Sequence, residues 1–296
     1  MLFSVMLSEA ENRSDTTLIK SYLTSLTKTP ASRSEDNAEQ LDRTAEFIRS
    51  VFARYSDSVS MQEYTANGKT YRNVICSFGT ANAERIIVGA HYDVCGQQQG
   101  ADDNASGVTG LLELARLLKG QTLNYRIDLV AYSLEEPPYF RTKFMGSYVH
   151  ARSLSDHKTK VFGMISLEMI GYFKDEQQSQ EYPLNILSLK YGSRGNYITL
   201  VKGFTAGRFA RKFSAAYIAQ HTIRTEKFTA PFALFGVAFS DDLNYRKAGY
   251  SSLMLTDTAF NRNKNYHEKS DTMETLDIAR MAKVIDGVLG ALIALQ

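Results

Sequence analysis

The stretch Ile86-Ile87-Val88-Gly89-Ala90-His91-Tyr92-Asp93 constrains this chain most, because a β-branched run ends directly on a histidine and an aspartate. Short apolar runs of this kind form the strands of parallel sheets, which are covered on both faces. His91 and Asp93 therefore emerge at a strand's C-terminal end, where open α/β sheets hold their ligands. Gly100-Ala101-Asp102-Asp103-Asn104-Ala105-Ser106-Gly107 follows at once. Metal-binding chemistry thus stands beside both a strand end and a helix start.

The rest of the chain extends this pattern. Asp36 to Tyr55 reads as an amphipathic helix, with Leu41, Ala45, Ile48 and Phe52 at three-to-four spacing. Asn67-Gly68 between Ser58–Tyr64 and Thr70–Phe78 predicts a hairpin. Arg85 to Ala90 is the buried strand, and Gly107 to Leu118 carries Val108, Leu111, Leu112, Ala115 and Leu118 on one helical face. The positive end of that helix points back at the acidic loop. Ile127 to Ser133 is the next strand and ends at Glu135-Glu136; Val161 to Leu167 is another, ending at Glu168. Ser251 to Leu255 is a fourth, with His267 in the loop beyond, and an apolar-faced helix from Leu276 closes the chain.

Composition narrows the functional classes. A hydrophobic fraction of 44% over 296 residues supplies a substantial core, and no linker, repeat or low-complexity tract marks a boundary. One domain over residues 1–296 is expected: α/β, with helical layers on both sides of a mixed, mostly parallel sheet. Thirty-four basic against 32 acidic residues leave a net charge of +2, which offers no basic surface for nucleic acid or an acidic membrane. Cys76 and Cys95 are too few for a disulfide framework and read as packed thiols. Met1 to Leu7 is apolar but short and lacks a basic flank, so neither a signal peptide nor a membrane span is expected there. The expectation is a cytoplasmic protein, with export open if a leader has been removed; the oligomeric state is not legible.

The donor set has its own logic. Zn²⁺ takes histidine nitrogen and carboxylate oxygen, and two ions about 3.5–4 Å apart need a bridging carboxylate with terminal donors on each side. His91, Asp103, Glu136, Glu168 and His267 supply such a set. Three carboxylates and one hydroxide nearly neutralise two zinc ions, whereas without metal the acids repel one another.

In this order the motifs His91-Tyr92-Asp93, Gly100 to Gly107, Glu135-Glu136-Pro137-Pro138, Met145-Gly146-Ser147, Leu167-Glu168-Met169-Ile170-Gly171-Tyr172, Ser240-Asp241 and Tyr266-His267 with Ser270-Asp271-Thr272 are highly specific. The chain resembles the co-catalytic zinc aminopeptidases of the aminopeptidase Y superfamily, whose relatives include glutamate carboxypeptidases and glutaminyl cyclases. The resemblance runs from about Asn73 to about Asp277. It implies that His91 and Glu168 bind one zinc, that Glu136 and His267 bind the other, and that Asp103 bridges them. It further implies that Glu135 is the general base acting on a bridging water and that Asp93 orients His91. Three departures stand out. Asp242 follows Asp241 where relatives commonly have histidine, and Val237 stands where some aminopeptidases place a tyrosine that stabilises the tetrahedral intermediate. Glu168 replaces the more common aspartate with a longer arm.

Each element also has a plainer reading. Asp102-Asp103 alone is equally a capping loop for the following helix, and Glu135-Glu136 alone is a solvated turn before Pro137-Pro138. Glu168 inside an apolar run resists such a reading, since an unpaired buried carboxylate is costly. His150, His157 and His221 read as packed or surface residues. Arg262 and Lys264 read as loop solvation, with Arg262 also placed to reach a substrate carboxylate. The leading expectation is a two-zinc aminopeptidase acting on peptides. The alternatives are a one-zinc glutaminyl cyclase, a carboxypeptidase on the same core, and a metal-free binding domain, which the complete donor set disfavours.

Overall fold

A computed structural model describes residues 13–231 and 240–296; Met1 to Leu7 and Val237 lie outside the described residues. Among the described residues eight strands form one sheet: β1 (Val59–Ala66), β2 (Lys69–Phe78), β3 (Arg85–His91), β4 (Arg126–Tyr132), β5 (Val161–Glu168), β6 (Ile198–Gly203), β7 (Thr225–Ala230) and β8 (Ser252–Thr256). Their spatial order is β1-β2-β4-β3-β5-β8-β6-β7. The hairpin β1–β2 pairs antiparallel through Asn67-Gly68, with Ala66 opposite Lys69. At the centre β4, β3, β5 and β8 run parallel, with Ala90 beside Ala131 and Ser166 beside Met254. Antiparallel pairing returns where β6 meets β8.

The central strands are buried on both faces, which is why their sequences are predominantly apolar rather than alternating. Ile86, Val88, Leu129, Ile165 and Leu167 enter the larger core. Over that face lie the helices α1 (Thr16–Thr27), α2 (Ala38–Phe52), α3 (Gly107–Leu118), α6 (Gly207–Ala219) and α8 (Ile278–Ala294). Ile87, Val130, Tyr132 and Met164 point the other way, against α4 (Gly146–Asp156) and α7 (Asp242–Lys247). A short helix α5 (Ser188–Tyr191) lies at the β6–β7 side. Gly89 is needed where it stands, because a Cβ there would meet the Tyr132 ring at 2.3 Å. This is the expected three-layer α/β/α domain with a mixed sheet. Among the described residues no helix is long and apolar enough to cross a membrane.

Candidate metal centre

Four neighbouring parallel strands bring their C-terminal ends to one edge, and the donors gather there. His91 ends β3 and Glu168 ends β5. Asp103 lies in a wide turn, Ala101–Ser106, just before α3. Glu135 and Glu136 are not on the strand end itself: β4 stops at Tyr132, and Leu134 turns the chain in the left-handed region at φ 61°. That turn, rather than the strand pleat, directs the pair. Met169, just after Glu168, and His267 also have positive φ, 53° and 59°. Such conformations cost a non-glycine residue about 1–3 kcal/mol each and persist where surrounding structure imposes them.

Asp103 stands between the two histidines. Its Oδ1 lies 3.3 Å from Nε2 of His91, and its Oδ2 lies 3.2 Å from Nε2 of His267. Glu168 Oε1 is 3.4 Å from the same nitrogen of His91, and Glu136 Oε2 is 3.2 Å from that of His267. The result is two imidazole–carboxylate pairs joined by one carboxylate. His267 Nε2 and the buried Glu136 Oε1 make no hydrogen bond, although acceptors or donors lie close. His91 Nε2 does pair with Glu168 Oε1, at a long 3.4 Å; unpartnered buried atoms on the His267–Glu136 side suit a cation, and the N/O chemistry suits zinc.

Buried groups hold the donors from behind. Nδ1 of His91 lies 3.2 Å from the main-chain oxygen of Asp93 and 3.5 Å from its Oδ1. The Asp93 carboxylate makes shorter contacts with the turn after β4, accepting the N–H of Glu135 and of Glu136. Asp271 accepts the N–H groups of Asp102 and Asp103. Asn104 accepts from Gly107 and Met169 and donates to Leu167 O, so one side chain ties the start of α3 to the end of β5. Asp102 is no cap: it accepts from Gly171 N–H and from Asn263. Ser240 donates to Glu168 Oε2 at 2.9 Å. Arg33, 1% exposed, donates to the carbonyls of Tyr92, Gln99, Gly100 and Leu26, while Val94 N–H donates to its own carbonyl.

The electrostatics are those of a cluster short of positive charge. Burial, then Asp103, pushes the Glu136 carboxyl up to about 8. Burial likewise raises Glu135 far above the carboxylate range, and raises Glu168 and Asp241, the last to about 7. Burial opposes charge on His267, yet Asp103 and Glu136 push it up to about 11. For Asp103 burial is outweighed by the two imidazoles, which hold it below the usual carboxylate range. The set retains protons that a divalent cation would displace.

Two readings from sequence require correction. Arg262 is buried rather than solvated: Nε donates to Gln180 Oε1 at 2.8 Å, Nη1 to Tyr172 O, and the guanidinium lies 4.8 Å from the Tyr197 ring centroid. Nε and Nη1 are committed to the loop, while the buried Nη2 has no hydrogen-bond partner among the described residues. Lys264 does sit in solvent, paired with Glu181. Of the two cysteines, Cys76 is packed in the core, whereas Cys95 is only half-buried and borders the donors. His150 is packed, bonded to Tyr245.

Beside Glu168 opens an apolar recess that no local motif announces, lined by Tyr182, Tyr191, Tyr197, Phe228, Met254 and Phe260. Tyr266 forms part of its wall and stacks on His267 with ring centroids 3.8 Å apart. The recess is adjacent to the donors and large enough in its lining to receive an apolar side chain.

Residues 73–292 match the description of Peptidase family M28. The uncharacterised protein YfbL of Escherichia coli K12 is 42% identical over 272 residues, covering 89% of this chain and 83% of YfbL. Leucine aminopeptidase 1 of Trichophyton rubrum is 27% identical over 233 residues; the match covers 73% of this chain but only 56% of that enzyme. In structure, the LapA aminopeptidase of Legionella pneumophila aligns at a TM-score of 0.74 and 18% identity, covering 95% of this chain and 72% of LapA. The glutaminyl cyclase of Tannerella forsythia aligns at 0.70 and 20%, covering 95% and 98%. At these identities the solved structures establish the fold.

Proposed function

This chain belongs to peptidase family M28, and from that premise we propose that it is a zinc-dependent aminopeptidase, one peptidase domain over residues 1–296, that removes N-terminal residues from peptides. The observation that carries the reading is the placement of Asp103 with one oxygen toward each histidine. In this proposal His91 and Glu168 would hold one zinc and Glu136 and His267 a second, with Asp103 placed to serve both. Zinc bound there would polarise the scissile carbonyl and acidify water toward neutral pH.

The remaining chemistry belongs to the chain's own residues. Glu135 sits beside Glu136 and His91 without a terminal role in either imidazole–carboxylate pair. Its carboxyl, raised by burial, is suited to take the proton of the attacking water and pass it to the leaving amine. Asp93 fixes the turn that carries Glu135. The aromatic recess beside Glu168 receives the side chain of the N-terminal residue, so large apolar residues are the preferred substrates.

A cyclase reading draws on the near-complete coverage of the Tannerella enzyme. Metal analysis with a panel of aminoacyl-nitroanilides separates the two. Two zinc ions per chain, with cleavage of leucyl or phenylalanyl but not N-acetylated substrates, supports the aminopeptidase. A stoichiometry fixed at one under zinc-replete conditions, with cyclisation of N-terminal glutaminyl peptides, replaces it.

A further inference from the structure

The half-buried thiol of Cys95 has no part in the peptidase reading above, yet it lies on the same side of the cleft as Glu136 and His267. Its Sγ, a carboxylate oxygen of Glu136 and a ring nitrogen of His267 all lie within 4.8 Å of one another. Glu136 is 4% exposed, and its Oε1 is buried without a hydrogen-bond partner. That orphaned oxygen is a second observation, independent of the cysteine, that points to a ligand at this place.

We infer that Cys95 is a thiolate donor to the metal ion held by Glu136 and His267. The inference rests on the metal reading of the site. Zinc reaches sulfur at about 2.3 Å and nitrogen or oxygen at about 2.0 Å, so donors gathered this closely can share one ion after small adjustments. The binding step is simple: the S–H bond breaks, the proton leaves to solvent, and a sulfur lone pair forms the S–metal bond, with no change of oxidation state.

The backbone around Cys95 is fixed rather than loose. Arg33 holds Tyr92 O and Val94 N–H before it and Gln99 O and Gly100 O after it. Gly96, at φ 68°, makes the tight bend that follows the cysteine. The loop therefore presents the thiol at a defined place beside the donors. Cys76 cannot substitute, being fully buried on β2.

A mixed N/O/S set makes the two metal positions chemically different. The His91–Glu168 position is built from hard and borderline donors, and the other gains a soft one. Thiophilic divalent cations should therefore prefer the Glu136–His267–Cys95 position.

Cobalt substitution tests this without relying on turnover. The full chain is titrated with Co²⁺ as wild type and as Cys95→Ser, and absorption is recorded in the visible and near ultraviolet. The inference expects d–d bands in both proteins and a thiolate-to-cobalt charge-transfer band that is lost in Cys95→Ser. D–d bands in both with no charge-transfer band in either, or a band that survives Cys95→Ser, overturns the role of Cys95 and leaves the metal reading standing. Absence of d–d bands in both removes the metal reading and this inference together. Should Cys95→Ser fail to fold, wild-type protein is alkylated with iodoacetamide with and without Zn²⁺ and the label located by mass. Zinc is expected to protect Cys95, and equal labelling overturns the inference.

Discussion

Oδ1 of Asp93 accepts the main-chain N–H of Glu135 at 3.1 Å, a closer contact than the 3.5 Å from the same oxygen to the ring of His91. The second oxygen accepts from Glu136. One carboxylate thus registers the β3 loop against the turn that carries two acidic side chains. Asp93→Asn keeps one acceptor and sets an NH₂ group against a backbone N–H. We expect a loss of about 10–100-fold in metal affinity or activity with the fold retained. Competition with a chromogenic chelator, alongside turnover, checks it; unchanged values in both would detach Asp93 from the site.

Glu135 and Glu136 are expected to separate cleanly on mutation. Glu135→Gln keeps the shape but cannot accept a proton, so kcat should fall by roughly 10²–10⁴ while zinc content holds. Glu136→Gln should lower metal occupancy together with activity. If the two phenotypes come out exchanged, so do the roles.

Ser240 is the hydroxyl behind Glu168, bonded to Oε2 and in contact with Ser166. Removing it in Ser240→Ala leaves the longer glutamate arm free to rotate away from His91. Metal affinity should fall by about 10–100-fold, with thermal stability of the chelated protein altered little by comparison. Isothermal titration with Zn²⁺ reads the first quantity and a melting curve the second.

His150 supplies a pH-dependent stability term remote from the donors. It is 4% exposed, its Nδ1 meets the hydroxyl of Tyr245, and burial lowers its pKa from near 6.5 to about 4, against the pull of Asp128. The unfolded chain binds the proton first as pH falls. Stability from the neutral ring is therefore complete above about pH 6.5 and is lost as pH falls through 4, roughly 3 kcal/mol in all. Urea unfolding in chelator at several pH values should show a shallower acid slope for His150→Asn than for wild type. Equal slopes would mean that the acid sensitivity arises elsewhere.

The parts of the fold that were legible are those whose signal is local. β3, β5 and β8 are predominantly apolar runs, and a polar donor ending or following such a run is conspicuous in one dimension. β6 and β7 were not singled out: β7 is half-exposed with charged residues in it, and its place depends on pairing with β6. Helix α1 carries Ile19, Tyr22, Leu23 and Leu26 at helical spacing, but no chemical motif accompanies it. The aromatic recess could not be seen, because Tyr182, Phe228 and Phe260 meet only after β6 turns back against β8. Arg33 is hidden for the same reason, three of its four carbonyl partners lying 59 to 67 positions away; Ser240 is visible within the Ser240-Asp241 motif, but its bond to Glu168, 72 positions away, is not.

The four carbonyls gathered by Arg33 bear on how this protein can be cut and recombined. The family match opens at residue 73, yet the loop that runs from His91 to Asp103 is completed by a guanidinium forty residues earlier. A fragment trimmed to the matched span would contain every metal donor and leave buried carbonyls unpaired at about 1–3 kcal/mol each. The portable unit is therefore larger than the recognisable one. Grafts or chimeras that respect the helix–loop from Thr16 to Arg33 should inherit a formed donor loop, and those joined at residue 73 should not.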